Sequence, residues 1–291
     1  MLLHHLISHA SLKGYEEMGE VPPTHPRYAS LMARKLLTEA AAAGLLADSA
    51  LIAHGRGEAF DYLLGERTCD AARNSIREIA GRLQGADWPI ISVNGNAVAL
   101  AADNLIRCAA AVPCDIEVNI YYRTPERMDA LIGKLNERKE VLSHEPWPKG
   151  WDNNPNVEQW EQFPGDWQEK IRDVRILGRD PDGRIPGLEG PRAECCTEGI
   201  LRSDVILVPL EDGDRCEALV AMGKTVCAID LNPLSRTAKK ATITIADELT
   251  RCLPLLLEDL FDATELPTEK WDNEQNLREV ISEMLRVLDD F

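Results

Sequence analysis

The feature that most constrains this chain is a pair of short apolar runs, DVILVPL at 204–210 and TVCAIDL at 225–231, with the helical stretch EALVAMG between them. Runs rich in Val, Ile and Leu, without polar alternation, suit strands buried on both faces. A strand, helix and strand joined by connections this short close as a right-handed βαβ unit. The same rhythm extends in both directions. A helix is predicted from Pro26 to about Gly44, and ALIAH at 50–54 reads as a short buried strand entering the glycine turn GRG. A helix at about 70–84 follows. PIISVNGN then reads as a strand with a polar end, before a helix at 97–111, a strand DIEVNIYY at 115–122 and a helix opening at Pro125. ATITIAD adds a strand, and helices at roughly 248–262 and 273–289 complete an α/β protein with a mostly parallel sheet and helices on both faces.

Residues 145–173 interrupt the alternation and hold four of the six tryptophans, so they read as an inserted surface loop rather than a cover for a site. The expected layout is a leader over 1–23, a core over 24–265 carrying that insertion, and an acidic C-terminal helix over 266–291. MLLHHLISHA lacks the basic start of a signal peptide, and no apolar run approaches the roughly 20 residues needed to span a bilayer. The expected location is the cytoplasm. The eight cysteines show no two-residue spacing of metal ligands and read as reduced, mostly buried thiols.

Charge narrows the partners. With 32 Lys plus Arg against 49 Asp plus Glu, the net charge is −17, which repels nucleic acid and anionic membranes. A phosphorylated small molecule needs arginines or a divalent cation to reverse that field locally. Two nucleotide signatures nearly occur. GRGEAF lacks the third glycine of a dinucleotide fingerprint, where Phe60 stands. Gly223-Lys224-Thr225 has Ala218 where a phosphate-binding loop needs glycine, and Gly223 reads better as a helix C-cap.

Polar clusters are expected just after the apolar strands: His54 to Glu58, Asn94 to Asn96, Asn119 to Arg123, Glu211 to Arg215, and Asp230 to Asn232. In an open parallel sheet these ends share one rim, where ligands bind. Arg34, Arg56, Arg123, Arg215 and Arg236 are the natural phosphate clamps, because guanidinium forks match phosphate and carboxylate. Glu211, Asp212 and Asp214 suit holding Mg²⁺ or receiving an ammonium group. Asp230 is placed to take a ribose hydroxyl, and Asn94, Asn96, Arg123 and Arg215 are candidate substrate contacts. His54 reads equally as a structural hydrogen-bonder or a substrate contact, and has no second His or Cys beside it at zinc-ligand spacing.

Taken in order, HPRYASL, LIAHGRGEAFDYLLGE, SVNGN-x-x-AL, YYRT, RIPGLE, DVILVPLEDGDR-x-EAL and IDLNPLSRTA resemble the motifs of archaeal phosphopantothenate synthetase, the 4-phosphopantoate–β-alanine ligase family. The resemblance covers about residues 24–262 apart from the insertion. It implies a homodimer with a Rossmann-like core and additional N- and C-terminal helices, binding ATP, 4-phosphopantoate and β-alanine. By the same resemblance, ATP is held by Arg34, Arg56, Asp230, Leu231, Asn232, Arg236, Thr237, Glu248 and Leu249. Glu248 stands where the family usually has asparagine. The implied reaction adenylates the acid, which the amine then attacks. Arg56 would stabilise charge, and the proton acceptor stays open among His54, Glu58, Asp212 and Asp214. Another ATP-using carboxylate ligase or kinase, or a nucleotide-binding regulator without turnover, remains the alternative.

Overall fold

The computed structural model describes residues 21–145, 166–262 and 270–289. Expectations for residues 1–20 and for 146–165 of the insertion lie outside them. The described chain begins with helices α1 (Tyr28–Ala42), α2 (Asp48–Leu63) and α3 (Asp70–Gln84), then β1 (Pro89–Val93), α4 (Gly95–Ala111), β2 (Asp115–Val118) and α5 (Pro125–Leu142). Next come α6 (Trp167–Asp173), β3 (Ile176–Leu177), β4 (Gly183–Arg184) and β5 (Glu194–Cys195). The last part runs through β6 (Val205–Pro209), α7 (Gly213–Ala221), β7 (Thr225–Ile229), α8 (Arg236–Lys240), β8 (Ile243–Ile245), α9 (Leu249–Asp262) and α10 (Asn273–Asp289).

Six strands form one sheet in the order β3-β2-β1-β6-β7-β8, and every neighbouring pair in it is parallel. β4 and β5 make a separate antiparallel pair. The chain builds outward from β1 to β3, returns to place β6 beside β1, and builds outward again. A crevice therefore opens between the C-terminal ends of β1 and β6.

Alternate residues of each strand feed two cores. Ile91, Val93, Leu207, Cys227 and Ile229 meet α3, α4 and α9 on one face. Ile90, Ile206, Val208, Val226 and Ala228 meet Cys216 and Leu219 of α7, with Ile185 and Ile200, on the other. Burial on both faces explains the continuous apolar runs, each large aliphatic side chain contributing about 1.5–3 kcal/mol. Leu277, Val280 and Met284 of α10 close a third cluster against Leu64, Leu231 and Ala238. Among the described residues no helix is long and apolar enough to cross a membrane.

Three elements differ from the sequence reading. Residues 167–173, expected within a surface loop, form helix α6, whose Trp167 and Ile171 are buried in the first core. Residues 50–54 are not a strand, and GRG is not a turn, because both lie inside α2. Two glycines in one stretch read as punctuation, yet helical φ/ψ costs a glycine only about 1 kcal/mol, and the helix accepts both. β2 ends at Val118 rather than running to Tyr122. The backbone N–H of Asn119 still donates to the Val93 carbonyl at 2.9 Å, while its side-chain amide donates to the Arg192 and Glu194 carbonyls beyond the sheet. Gly223 follows α7 with φ +83°, the left-handed C-cap expected of it.

All eight cysteines are free, and all but Cys196, which is half-buried, are buried. Burial pushes the Cys195 thiol up to about 12 and that of Cys196 to about 11, so both stay protonated and unreactive near neutrality.

Candidate active site at the strand rim

Four of the five expected clusters do stand at the C-terminal ends of β1, β2, β6 and β7. The fifth, His54 to Glu58, reaches the same region from helix α2, and a Cβ added at Gly57 would stand 3.9 Å from Leu231 at the end of β7. The helical pair α1–α2 thus roofs a rim that the sheet provides.

At the floor of the crevice, Asn94 caps α4 by accepting from the Ala97 amide at 3.1 Å. Its own amide donates to the Leu210 carbonyl at 2.8 Å and so ties β1 to β6. Gly95 has no room for a side chain: a Cβ would stand 2.8 Å from Leu46 Cδ2 and 2.9 Å from the Leu45 carbonyl. The close approach that this glycine permits is therefore used by the α1–α2 connection. Asn96 donates to the Ala50 carbonyl, while its Oδ1 is buried without a hydrogen-bond partner.

The acidic triplet after β6 holds guanidiniums. Glu211 receives the fully buried Arg215, and Arg192 reaches it at 2.8 Å. Asp212 caps α7 through the Arg215 amide and takes Arg192 at 2.6 Å. Asp214 pairs with Arg236, which also contacts Glu217 at 2.6 Å. Burial raises the Asp212 carboxyl, but the Arg192 guanidinium and the cap outweigh it and hold it below the usual range. With each carboxylate already neutralised by arginine, the donor set does not fit a resident Mg²⁺ ion, which needs free, hard oxygen ligands.

At β7, Asp230 accepts from the Asn232 amide at 2.9 Å and from Ser235 Oγ at 2.5 Å, while Ser235 caps α8. Burial raises the Asp230 carboxyl, with those two hydrogen bonds opposing it. Asn232 Oδ1 accepts from the Leu234 amide. Thr237 Oγ1 donates to the Glu211 carbonyl at 2.7 Å, so its hydroxyl is spent within the fold. Leu231 and Leu249 are buried apolar side chains that offer a ligand only backbone. Glu248 caps α9 by accepting from the Arg251 amide at 3.0 Å.

On the roof, Glu58 accepts from Arg34 Nε at 3.0 and 3.2 Å and from Ser30 Oγ at 2.5 Å, with Arg27 at 3.6 Å. Burial raises the Glu58 carboxyl, yet the Ser30 and Arg34 hydrogen bonds prevail and keep it low. Glu58 therefore orients Arg34 and is a poor proton acceptor. His54, one turn earlier, is held low chiefly by burial, with Glu58 raising and Arg34 lowering it further, and so is neutral near pH 7. Arg56 is exposed and makes no ion pair or hydrogen bond among the described residues. Nothing lies within 4 Å of where a Cβ at Gly55 would sit. Gly55→Ala is therefore expected to stabilise α2 by about 0.5–1 kcal/mol, read as a raised urea midpoint. A fall in stability would mean that the helix is more crowded at that face than its geometry indicates.

Residue type points to Arg123 and Arg215 as ligand contacts and gives no sign of Arg192, which the fold brings against Glu211 and Asp212. Arg215 is instead fully buried, bonded to Ser92 Oγ at 2.9 Å and to Glu211. Arg192 lies 73 positions from Asn119 in a loop without periodicity, and only the fold brings the two together.

Beneath the rim, Glu117 of β2 accepts from the Cys196 amide at 2.9 Å and the Ile200 amide at 2.8 Å. Burial raises its pKa to about 6, the two amide bonds opposing. A folded value above the ordinary one makes its contribution fullest in acid and lost as pH rises through about 6. Glu117→Gln is expected to flatten that slope in urea midpoints measured across the interval. An unchanged slope would assign the titration to another carboxyl.

A parallel sheet with a crevice at its switch point, roofed by helices and ringed by arginines, defines a Rossmann-like α/β protein. Comparison with known proteins gives the family. The sequence profile of the phosphopantothenate/pantothenate synthetase family matches residues 71–147 and 166–287, and the chain belongs to that family. It is 42% identical over 241 residues to the 4-phosphopantoate–β-alanine ligase of Thermococcus kodakarensis, covering 83% of this chain and 80% of that one. It is 39% identical over 271 residues to the enzyme of the same name from Thermococcus onnurineus, covering 91% of this chain and 92% of that one. That from Methanosarcina mazei matches at 39% over 277 residues, covering 92% and 95%.

Proposed function

We propose that this chain joins 4-phosphopantoate to β-alanine, cleaving ATP to AMP and pyrophosphate, as an archaeal, cytoplasmic enzyme of coenzyme A biosynthesis. The observation that carries this reading is the run of relatives bearing that ligase's name, 39–42% identical over most of both chains. The rim agrees with it, because an acidic protein has gathered arginines where an anionic substrate must sit.

A carboxylate does not acylate an amine directly, since its oxygen leaves poorly. In the proposed reaction a carboxylate oxygen of phosphopantoate attacks the α-phosphorus of ATP, and pyrophosphate departs. Arg34, Arg56 and Arg236 meet the charge developing on the phosphates, while the backbone of 230–232 and of 248–249 holds the nucleoside. β-Alanine then attacks the acyl carbon and AMP leaves. Of the four candidate proton acceptors, Glu58 and Asp212 are held by arginines and Asp214 is paired with Arg236. His54 is neutral with its ring free of ion pairs among the described residues, and is assigned the amine proton. Mg²⁺ enters with the nucleotide as part of the substrate. A second copy of the chain completes a homodimer, as the family resemblance implies.

The test is product analysis with purified protein, omitting phosphopantoate, β-alanine or ATP in turn. AMP and pyrophosphate forming only when all three are present supports the ligase. ADP as product would make it a kinase or an ADP-forming ligase, and ATP binding without turnover would make it a regulator.

A further inference from the structure

We propose that the Asp61–Arg251 ion pair is a positioning element of the reaction. It ties the roof helix α2, which carries His54 and Arg56, to the turn 247–249 after β8, so that seating of the roof and binding of the nucleotide are coupled. The inference rests on the ligase reading, which puts the nucleotide at 230–232 and 248–249, and adds what holds the roof over it.

Apolar packing holds α2 weakly. Across its 16 residues the one fully buried side chain is no aliphatic group but Asp61, 6% exposed. Phe60 and Leu63 are half-buried against the third cluster, and Ile52 is 67% exposed. Glu58 pairs with Arg34 and Arg27, which belong to the roof itself. Near the first turn of α2, Asn96 donates to the Ala50 carbonyl at 3.2 Å. At the last turn, Arg251 of α9 grips Asp61 with both prongs of its fork, NH2 to Oδ1 at 2.6 Å and NH1 to Oδ2 at 3.3 Å. Among the described residues this is the only ion pair that joins α2 to the sheet or to the helices packed on it.

The same guanidinium reaches the other side. Its Nε donates to Asp247 at 2.8 Å, and Asp247 is itself buried. Asp247 accepts from the Glu248 amide at 2.8 Å and from Thr68 Oγ1, in the α2–α3 connection, at 2.6 Å. Glu248 in turn accepts from the Arg251 amide at 3.0 Å. One arginine therefore spans the roof helix and the turn whose backbone is assigned to the nucleotide. A buried carboxylate is stable only beside its partner, so the pair fixes where the last turn of α2 sits.

Helix geometry carries that constraint to the reacting groups. His54, Gly57 and Asp61 recur at spacings of three and four residues and share one face of α2, on which a Cβ added at Gly57 would stand 3.9 Å from Leu231. Arg56 is five residues from Asp61, about 7.5 Å along the axis. Releasing Asp61 frees the rotation and tilt that aim His54 and Arg56.

The test is hydrogen exchange and steady-state kinetics on the full-length chain and on Asp61→Asn, which keeps the size, loses the charge and leaves Arg251 its contact with Asp247. In the wild type, ATP with magnesium chloride is expected to slow exchange across 50–63. In Asp61→Asn that segment is expected to exchange about 10-fold faster, with β6 and β7 unchanged and little protection restored by ATP. The KM for ATP rises about 10-fold as the seated fraction falls to about a tenth, with the KM for β-alanine unchanged. A pair that served stability alone would speed exchange in the strands as well and leave the KM for ATP in place. That result overturns the proposal, as does wild-type behaviour of the variant. If Asp61→Asn does not fold, Arg251→Lys decides, because it keeps the charge and loses the fork. Faster exchange in 50–63 with a raised KM for ATP then supports the pair, and any other pattern overturns it. A wild-type chain whose segment 50–63 gains no protection from ATP overturns the coupling. One that gains it and yet releases no AMP overturns the ligase reading and leaves the coupling standing.

Discussion

Replacing Arg56 with alanine is expected to lower turnover on the order of 100-fold or more while leaving the fold intact. The side chain is exposed on α2 and contributes no ion pair or hydrogen bond within the described protein. Its removal therefore leaves no buried partner stranded, and surface substitutions of that kind shift stability by only about 0.5 kcal/mol. What it does offer is a cation in a strongly negative molecule, one residue from Gly57, which faces Leu231 at the end of β7. Steady-state kinetics beside a urea titration check both halves of the expectation. Near-normal turnover with normal stability would remove Arg56 from the reaction, and the roof helix would lose its proposed role.

Arg215→Met is expected to do the reverse, destabilising the protein by about 3 kcal/mol. Arg215 is fully buried, pairs with Glu211 and donates to Ser92 Oγ at 2.9 Å. Methionine fills similar space but leaves Glu211 only Arg192 as a counter-ion, and the cost is that of a buried carboxylate left partly uncompensated. Equilibrium unfolding in urea reads the loss directly. If stability were instead unchanged and the KM for the acid rose, Arg215 would be the substrate contact that its position after a strand suggested.

The contrast between these two arginines explains how much of the molecule was legible in its sequence. β1, β6, β7 and β8 announce themselves because a strand buried on both faces must be apolar throughout. The helices announce themselves through their periodicity and caps, as at Pro125 and Gly223. The rim was legible too, since polar residues directly after such strands have one edge to occupy. Counter-ions were not. Residue type makes Arg56 and Arg215 equally good phosphate ligands; the four-residue spacing of Glu211 and Arg215 allows their pairing, but only the fold shows that the pair is fully buried while Arg56 stays exposed. The same blindness turned Glu211, Asp212 and Asp214 into an expected Mg²⁺ site, although each meets an arginine contributed by another turn or loop. Residues 50–58 misled for a different reason. An apolar stretch followed by two glycines is compatible with a strand and turn, and the helix that forms is decided by packing against Leu231 and α10 rather than by local pattern.

The most direct measurement of the central claim is oxygen transfer during turnover. With phosphopantoate labelled by ¹⁸O in its carboxylate, activation by adenylation requires one labelled oxygen to leave with AMP, because the acid's oxygen becomes bonded to the α-phosphorus and remains there when the amine attacks. Mass spectrometry of the products is expected to find that label in AMP and none in pyrophosphate. Label in inorganic phosphate, accompanied by ADP, would instead show attack at the γ-phosphorus and would contradict the acyl-adenylate route.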